Sequence, residues 1–256
     1  MREQPSTPRP EHADADRSPE SSRDSRRRRL LAGAIICVAV GSHLPSLRWG
    51  FLYDDYIHQF MLQRIEHGDP ARAWSLFDFG VRPGPQNPMF EWGFYPWWTD
   101  PDFKIRFFRP ITSLSIAADY WLYGGWAPGY HLTSLGLFAV LLVLVYRLYR
   151  ALELPGTAFL WAMAIMALSD IHSLPVGWIA NRNALWVAVF LVAMLLSLHS
   201  YRARPRYSML VLAVVCFLLA CGSKESGIIG LPLAVLHEWL YPPAASPQSL
   251  RDRLFA

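Results

Sequence analysis

The stretch FLYDDYIHQF places two carboxylates, Asp54 and Asp55, side by side among aromatic residues. Neighbouring side chains point about 100° apart on a helix and to opposite faces of a strand, so the two carboxylates do not readily act on the same atom. One could face a cavity while the other holds the loop. Like charge and burial would raise one pKa and make that carboxylate a proton acceptor near neutral pH. Spacing alone leaves open a plain alternative, a helix-capping pair on a solvated loop.

Two further candidate residues are Arg109, which lies before an apolar run, and His131, which lies at its start. Arg109 precedes Pro110, and proline is well tolerated in the first turn of a helix. Its guanidinium could bind an anionic headgroup bidentately, or pair with Asp119 or another loop carboxylate. His131 begins the apolar run, where a lone histidine is more often a hydrogen-bonded structural group than a ligand.

The segment SDIHSLPVGWIANRNAL joins two apolar runs and contains three candidate groups. Asp170 and His172 are two residues apart, which could suit metal ligation, but two ligands without a third are a weak signal. Arg182 could bind a phosphate group. It could equally form an ion pair with Asp170 across the turn.

The segment CGSKESGIIGLP contains Lys224 and Glu225 between two apolar runs. A lysine and a helix N-terminus both favour phosphate binding, so Lys224 is a candidate phosphate ligand. The alternative is that Lys224 and Glu225 neutralise each other.

The composition predicts helices in a membrane as the elements that position these residues. The chain has 256 residues, of which 53% are hydrophobic and only 17% are charged, against about 25% charged in soluble domains. Three cysteines in apolar runs do not suggest a disulfide framework. Six apolar windows predict six membrane spans: 30–48, 131–149, 157–170, 183–199, 208–222 and 226–241. A further segment, 111–125, is predicted to form an interfacial helix.

The amino-terminal region predicts a polar tail before the first span. Residues 1 to about 25 are rich in Pro, Ser, Glu, Asp and Arg, and are expected to be disordered. The first apolar run lacks a convincing cleavage site, so it is interpreted as an uncleaved span and not as a signal peptide. The expected organisation is a basic cytoplasmic tail (1–29), a transmembrane domain (30–241) and a cytoplasmic carboxy-terminal tail (242–256).

The arginine clusters predict the orientation of these spans. With residues 1–29 in the cytoplasm, six spans place every other cluster on the same side, in agreement with the positive-inside rule. Those clusters lie in 147–156, 200–207 and 242–256. The outer loops are then 49–130, 170–182 and 222–226, and they hold all the candidate groups described above except His131, which begins a span.

The order of the motifs YDD, FRP…D…G…PGYHL, H…PVGWIANR and SKESGI resembles the amino-terminal half of the C-type (GT-C) integral membrane glycosyltransferases. The resemblance is greatest to the protein O-mannosyltransferases and the tetratricopeptide-bearing transmembrane O-mannosyltransferases, and it covers about residues 30–241. It implies an all-α polytopic membrane protein with a large extracytoplasmic first loop, as a truncated GT-C-like fold.

The resemblance also implies an activity and roles for the residues. Such an enzyme transfers a hexose, here mannose, from a polyprenyl-phosphate donor to an acceptor hydroxyl on the extracytoplasmic face, with inversion at the anomeric carbon. Asp54 is then the general base, Asp55 orients the acceptor or an arginine, and Lys224 lies near the lipid phosphate. Arg109 and Arg182 would supplement it. His131, His172 and Glu225 are further candidates for binding the sugar or its lipid phosphate, although His172 and Arg182 match their motif only in part. The resemblance indicates neither a cofactor nor a metal site, although a divalent metal is compatible with it.

Partners and location follow from the same resemblance. The expected partners are the polyprenyl-phosphate sugar, membrane lipids, an unspecified acceptor (protein, lipid or glycan) and a chain supplying the carboxy-terminal half, but no nucleic acid. The expected location is a bacterial inner membrane with the amino terminus in the cytoplasm. Two other functions stay open: a non-catalytic assembly partner or lipid-phosphate binder, and a transporter.

Overall fold

The computed structural model describes residues 19–65, 70–79, 93, 95–100, 103 and 105–241. In these ranges the chain is helical, and its only strand-like pairing is an isolated bridge between Asp78 and Arg106. The predicted carboxy-terminal tail (242–256) and residues 1–18 of the predicted amino-terminal tail lie outside the described residues.

The described residues form α-helices joined by short 3₁₀ segments. The α-helices are α1 (Pro19–Ser42), α2 (Asp54–Ile65), α3 (Pro110–Tyr123), α4 (Ala127–Ala151), α5 (Gly156–Leu168), α6 (Ser173–Gly177), α7 (Asn183–Ala203), α8 (Tyr207–Ser223) and α9 (Gly230–Leu240). The 3₁₀ segments are Leu44–Arg48, Pro70–Trp74, Asp170–His172, Ile179–Arg182 and Glu225–Ile229.

Four helical stretches are long and apolar enough to cross a membrane: Ser25–Arg48, Ala127–Ala151, Gly156–Gly177 and Ile179–Ala203. Two further predicted spans are shorter than the roughly 20 residues needed to cross the hydrocarbon core, because α8 has 17 residues and α9 has 11. The all-α polytopic class is confirmed, and four of the six predicted spans have full length.

One boundary differs from the sequence prediction. The chain is already helical from Pro19, so residues 19 to 25 are not disordered as expected. Proline suits the first turn of a helix, and the arginines that follow are good helix formers. The helix of the first span therefore extends through the basic segment.

The described residues form three apolar clusters, one of which joins α7 to α8 around Met194 and Ala213. In the bundle, α1, α4, α5 and α7 pack around fully buried side chains such as Phe138, Leu142 and Met163. At one end of the bundle, α2, α3 and the Pro70–Trp74 segment pack around Leu62 and Phe77. The described residues of the predicted first loop therefore pack as a layer on the bundle.

Hydrogen bonds between distant segments show which turns of the chain lie at this end of the bundle. The backbone N–H of Ala180 donates to Asp55, and the hydroxyl of Thr112 donates to the carbonyl of Ser223. The first loop therefore contacts both the turn before α7 and the end of α8. The reversals at 152–155 and 204–206 lie at the opposite end, because successive long helices run antiparallel.

Candidate functional site

Asp54 and Asp55 begin α2 and occupy different environments. Asp55 is 1% exposed, and its carboxylate accepts hydrogen bonds from the backbone N–H groups of Leu52, at 2.9 Å, and Ala180, at 2.7 Å. Asp54 is half-buried and makes no hydrogen bond through its side chain with any described residue. Asp55 therefore holds the loop in place, and Asp54 has a carboxylate free to act.

The pKa of each carboxyl is displaced upward. Burial raises the pKa of Asp55 to about 6, although its two backbone hydrogen bonds and the charge of Arg182 oppose the shift. Burial also raises the pKa of Asp54, and the positive charge of Arg109 opposes that rise. The raised pKa makes the Asp54 carboxylate a better proton acceptor than that of an exposed aspartate.

The turn before α2 is backbone-strained. Tyr53 has a φ of 42°, a left-handed conformation that is unusual for a bulky residue. The Asp55–Leu52 hydrogen bond spans this turn, and the Tyr56 N–H donates to the Tyr53 carbonyl at 3.2 Å. Strain of this kind is found preferentially at functional sites, and here it lies directly beside Asp54.

Arg109 lies at the start of α3, where several contacts fix it. Its Nη2 and Nε atoms donate to Glu225 at 2.8 and 3.2 Å, and its side chain is 12% exposed. The guanidinium lies over the rings of Phe107, at 4.3 Å, and Phe77, at 5.1 Å. The Ser113 hydroxyl donates to the Arg109 carbonyl at 2.9 Å, so backbone and side chain are both held.

Lys224 and Glu225 follow the last residue of α8. A Cβ on Gly227 would lie 2.4–2.5 Å from the backbone of Ala220 and Cys221, so only glycine permits the 3₁₀ segment to pack this closely on α8. Because of this close approach, Glu225 is brought to Arg109. The sequence left open an ion pair between Lys224 and Glu225. In the structure Glu225 pairs with Arg109 instead.

Lys224 keeps an uncommitted ammonium group. It forms no ion pair or hydrogen bond through its side chain within the described part of the chain. Burial lowers the pKa of Lys224, the charge of Arg109 lowers it further, and that of Glu225 opposes this. Burial would raise the pKa of Glu225, but hydrogen bonding to Arg109 and the charges of Arg109 and Lys224 bring it below its ordinary value.

These residues form one charged cluster from three segments of the chain: Asp54, Arg109, Lys224 and Glu225. Asp54 interacts electrostatically with Arg109, Arg109 binds Glu225, and Lys224 interacts electrostatically with both. The cluster combines a proton acceptor with cations able to hold an anionic group.

Arg182 belongs to a buried network and not to this cluster. Its side chain is 0% exposed, and it donates to Asp119 at 2.5 Å, Ser134 at 3.0 Å and the Tyr130 carbonyl at 2.5 Å. The suggested Asp170–Arg182 pair is wrong because the partner is Asp119. A phosphate role for Arg182 is also at odds with the structure, since its guanidinium is enclosed and its donors are occupied.

The two candidate histidines are likewise buried and bonded to backbone carbonyl groups. His131 Nε2 lies 3.3 Å from the Gly50 oxygen, and His172 Nε2 lies 2.8 Å from the Met166 oxygen. The His172 ring also packs on Phe138 at 4.9 Å. These contacts support a structural role for both histidines, and their assignment as substrate ligands stays a prediction. The described residues contain no group of three or more potential metal ligands.

Sequence reasoning missed His58, which lies one helical turn after Asp54. It is fully buried, its ring is 4.7 Å from Phe77, and neither ring nitrogen has a hydrogen-bond partner among the described residues. Burial lowers the pKa of His58 to about 3, so the ring is neutral at physiological pH. The i, i+4 spacing places Asp54 and His58 on one face of α2, so the sequence contained a pattern that could have indicated this residue.

The fold and this cluster define an all-α polytopic membrane protein with a charged cluster at one end of its helices. Two curated proteins match the chain. The protein O-mannosyl-transferase Tmtc2 of Drosophila melanogaster is 30% identical over 205 residues, covering 77% of this chain and 20% of the relative. The protein O-mannosyl-transferase F38B6.6 of Caenorhabditis elegans is 24% identical over 232 residues, covering 88% of this chain and 30% of the relative.

These relatives confirm the predicted resemblance to membrane O-mannosyltransferases. The chain spans about a fifth to a third of the length of the relatives it matches. No family model matches the chain, and no solved structure matches it.

Proposed function

We propose that this chain is the donor- and base-bearing part of a GT-C glycosyltransferase that moves mannose from a polyprenyl phosphate to an acceptor hydroxyl. The observation that carries the proposal is the charged cluster, in which a half-buried Asp54 with a raised pKa interacts with Arg109 beside the uncommitted Lys224. The relatives are named as O-mannosyl-transferases, which supports the choice of sugar.

The chemistry divides between the carboxylate and the cations. Asp54 accepts the proton of the acceptor hydroxyl as its oxygen attacks the anomeric carbon. The bond from that carbon to the phosphate oxygen breaks, and the lipid phosphate leaves with the electron pair. Lys224 and Arg109 stabilise the charge on the departing phosphate. One displacement inverts the anomeric centre, and no covalent sugar forms on the protein.

Asp55 acts as a positioning residue in this proposal. Its two backbone hydrogen bonds, to Leu52 and Ala180, hold the strained turn that presents Asp54. Phe77 and Phe107 hold the Arg109 guanidinium, and Glu225 orients it for a phosphate oxygen.

The reaction is proposed to take place on the extracytoplasmic face. The basic residues Arg147, Arg150, Arg202, Arg204 and Arg206 all lie at the opposite end of the helices, or near it, where the positive-inside rule favours the cytoplasm. The amino terminus is then cytoplasmic, and a bacterial inner membrane is the proposed location.

The test is transfer of radiolabelled mannose from polyprenyl phosphate in membranes containing the full chain. Asp54→Asn is expected to reduce transfer about 10²–10⁴-fold, because that is the usual contribution of a general base. Asp170→Asn, which removes an exposed carboxylate at the same end of the molecule, is the matched control and keeps full transfer. Equal activity of wild type and Asp54→Asn would contradict the proposal.

A second candidate function is binding of a lipid phosphate without catalysis. The cations of the charged cluster favour it, since Lys224 and Arg109 can hold a phosphate group without a base taking part. A pure binder would retain polyprenyl-phosphate affinity in Asp54→Asn and lose it in Lys224→Ala, with no transfer in either protein or in wild type. A transporter would instead move a solute across sealed vesicles without forming a glycosidic bond.

A further inference from the structure

A cavity lies at the end of the bundle opposite the charged cluster. Its volume is about 510 Å³, and it opens between the start of the first span, the end of α4 and the start of α5. Three arginines line it: Arg28 and Arg29 from α1 and Arg150 from α4. Among the described residues that line it, Glu153 is the one acid, so positive charge is in excess there.

None of the three arginines forms an ion pair within the described residues, with Glu153 or with any other acid. Arg150 donates a 3.3 Å hydrogen bond to the Tyr146 hydroxyl, and its guanidinium lies 6.0 Å from the centre of the same ring. Guanidinium groups gathered around one space repel each other unless an anion joins them, and phosphate is the anion their planar donors fit best.

The position of Arg28 adds to this excess of positive charge. A Cβ on Gly156 would lie 2.8–2.9 Å from the Arg28 guanidinium, which therefore covers the first residue of α5. The first turn of a helix already carries a partial positive charge, so a cation there is unfavourable by itself. A bound anion would interact favourably with the arginine and the helix start together.

Apolar side chains also contribute to the lining, beside Ser25 and Tyr146. Leu154 and Phe159 contribute to the cavity, and Leu30 on the neighbouring turn of α1 is 65% exposed. A soluble anion gains nothing from these surfaces, whereas the glycerol and upper acyl carbons of a lipid do.

We propose that this cavity binds the phosphate headgroup of an anionic phospholipid in the leaflet opposite the charged cluster. Arg28, Arg29 and Arg150 hold the phosphate, while Leu154 and Phe159 contact the carbons below it. The site is separate from the proposed transferase chemistry, and it links α1 to α4 and α5 through the lipid.

The experiment titrates the purified full chain in phosphatidylcholine nanodiscs with phosphatidylglycerol and counts bound lipid by native mass spectrometry. The double variant Arg28→Gln/Arg150→Gln is expected to bind phosphatidylglycerol about tenfold or more weakly. The control Arg204→Gln/Arg206→Gln removes the same charge at the same end, outside the cavity, and is expected to bind like wild type. Equal weakening in both double variants, or in neither, would overturn the proposal.

Two further measurements test the proposal, one on a variant of Gly156 and one with inorganic phosphate. Gly156→Ala keeps every charge but displaces the Arg28 guanidinium, and it is expected to weaken binding about threefold; unchanged binding would count against the site. This variant decides the matter if the double variant fails to fold. Displacement of phosphatidylglycerol by inorganic phosphate at equal concentration would instead identify a soluble-anion site and overturn the lipid assignment.

Discussion

At the residue scale, adjacent carboxylates divide two tasks between them. Asp55 is buried and bonded to the backbone, and Asp54 is half-exposed without a hydrogen-bond partner in the described chain. Neighbouring side chains on a helix point about 100° apart, so the YDD motif alone predicts such a division. The sequence did not predict the hydrogen-bond partner of Asp55, because Asp55 bonds to Ala180, which lies 125 residues away.

The Arg109 side chain is expected to set the pH dependence of transfer. The charge of Arg109 lowers the pKa of Asp54, so Arg109→Gln raises that pKa and moves the acid limb of kcat/KM to higher pH. Loss of the guanidinium also weakens donor binding about tenfold or more. The measurement is transfer rate against pH at low donor concentration.

Arg106→Gln is the control for that profile, since it removes a guanidinium three residues away that is paired with Asp78. Its acid limb is expected to coincide with that of wild type. An acid limb that stays in place in Arg109→Gln, or moves to lower pH, would contradict the assignment of Asp54 as the base.

Asp55 is expected to make stability depend on pH between about 4 and 6. Its folded pKa, about 6, exceeds the ordinary value of 3.8, so the folded protein binds more protons than the unfolded chain in this window. The free energy of unfolding therefore falls as pH rises, by at most about 1.4 kcal/mol per pH unit. Asp55→Asn keeps an oxygen acceptor but does not titrate, so its curve is flatter.

Unfolding in sodium dodecyl sulfate, followed at several pH values for both proteins, measures this difference. Parallel curves for wild type and Asp55→Asn across pH 4–6 would show that Asp55 is not the group responsible.

At the element scale, long apolar windows predicted the helices well. The segment 111–125, which was expected to be helical, forms the helix Pro110–Tyr123, and its interfacial position stays a prediction. The window at 183–199 lies within Asn183–Ala203. Short 3₁₀ segments such as Glu225–Ile229 were not predicted, because their form depends on packing against distant helices. The Arg182–Asp119 pair escaped prediction for the same reason, as local spacing favoured Asp170.

Gly227 is expected to be required for the position of Lys224 and Glu225. A Cβ at this residue meets the backbone of Ala220 and Cys221, so Gly227→Ala must push the segment away from α8. Overpacking of this kind costs about 1–3 kcal/mol of stability. We expect a lower melting temperature and donor affinity reduced about tenfold.

Gly136→Ala is the control, because a Cβ at Gly136 has open space around it and alanine favours a helix. It is expected to keep donor affinity and to melt at the wild-type temperature or above. Unchanged donor affinity in Gly227→Ala would show that the packing of this segment does not position the phosphate ligands.

At the scale of the whole molecule, the two ends of the bundle carry different chemistry. One end gathers Asp54, Arg109, Lys224 and Glu225 from segments far apart in sequence, and the other gathers arginines around a cavity. The sequence predicted this separation through the alternation of apolar windows and arginine clusters. It did not predict the cavity, whose lining comes from the ends of three helices.

Sidedness of the charged cluster is the claim on which the proposed reaction depends, and thiol labelling in intact cells tests it most directly. Single cysteines replace Tyr56, Ser226 or Arg206, all exposed, in a chain whose Cys37, Cys216 and Cys221 are changed to alanine. A membrane-impermeant maleimide is expected to label Tyr56→Cys and Ser226→Cys from outside, and Arg206→Cys only after permeabilisation. Labelling of positions 56 and 226 from opposite sides, or of both only from inside, would contradict the account.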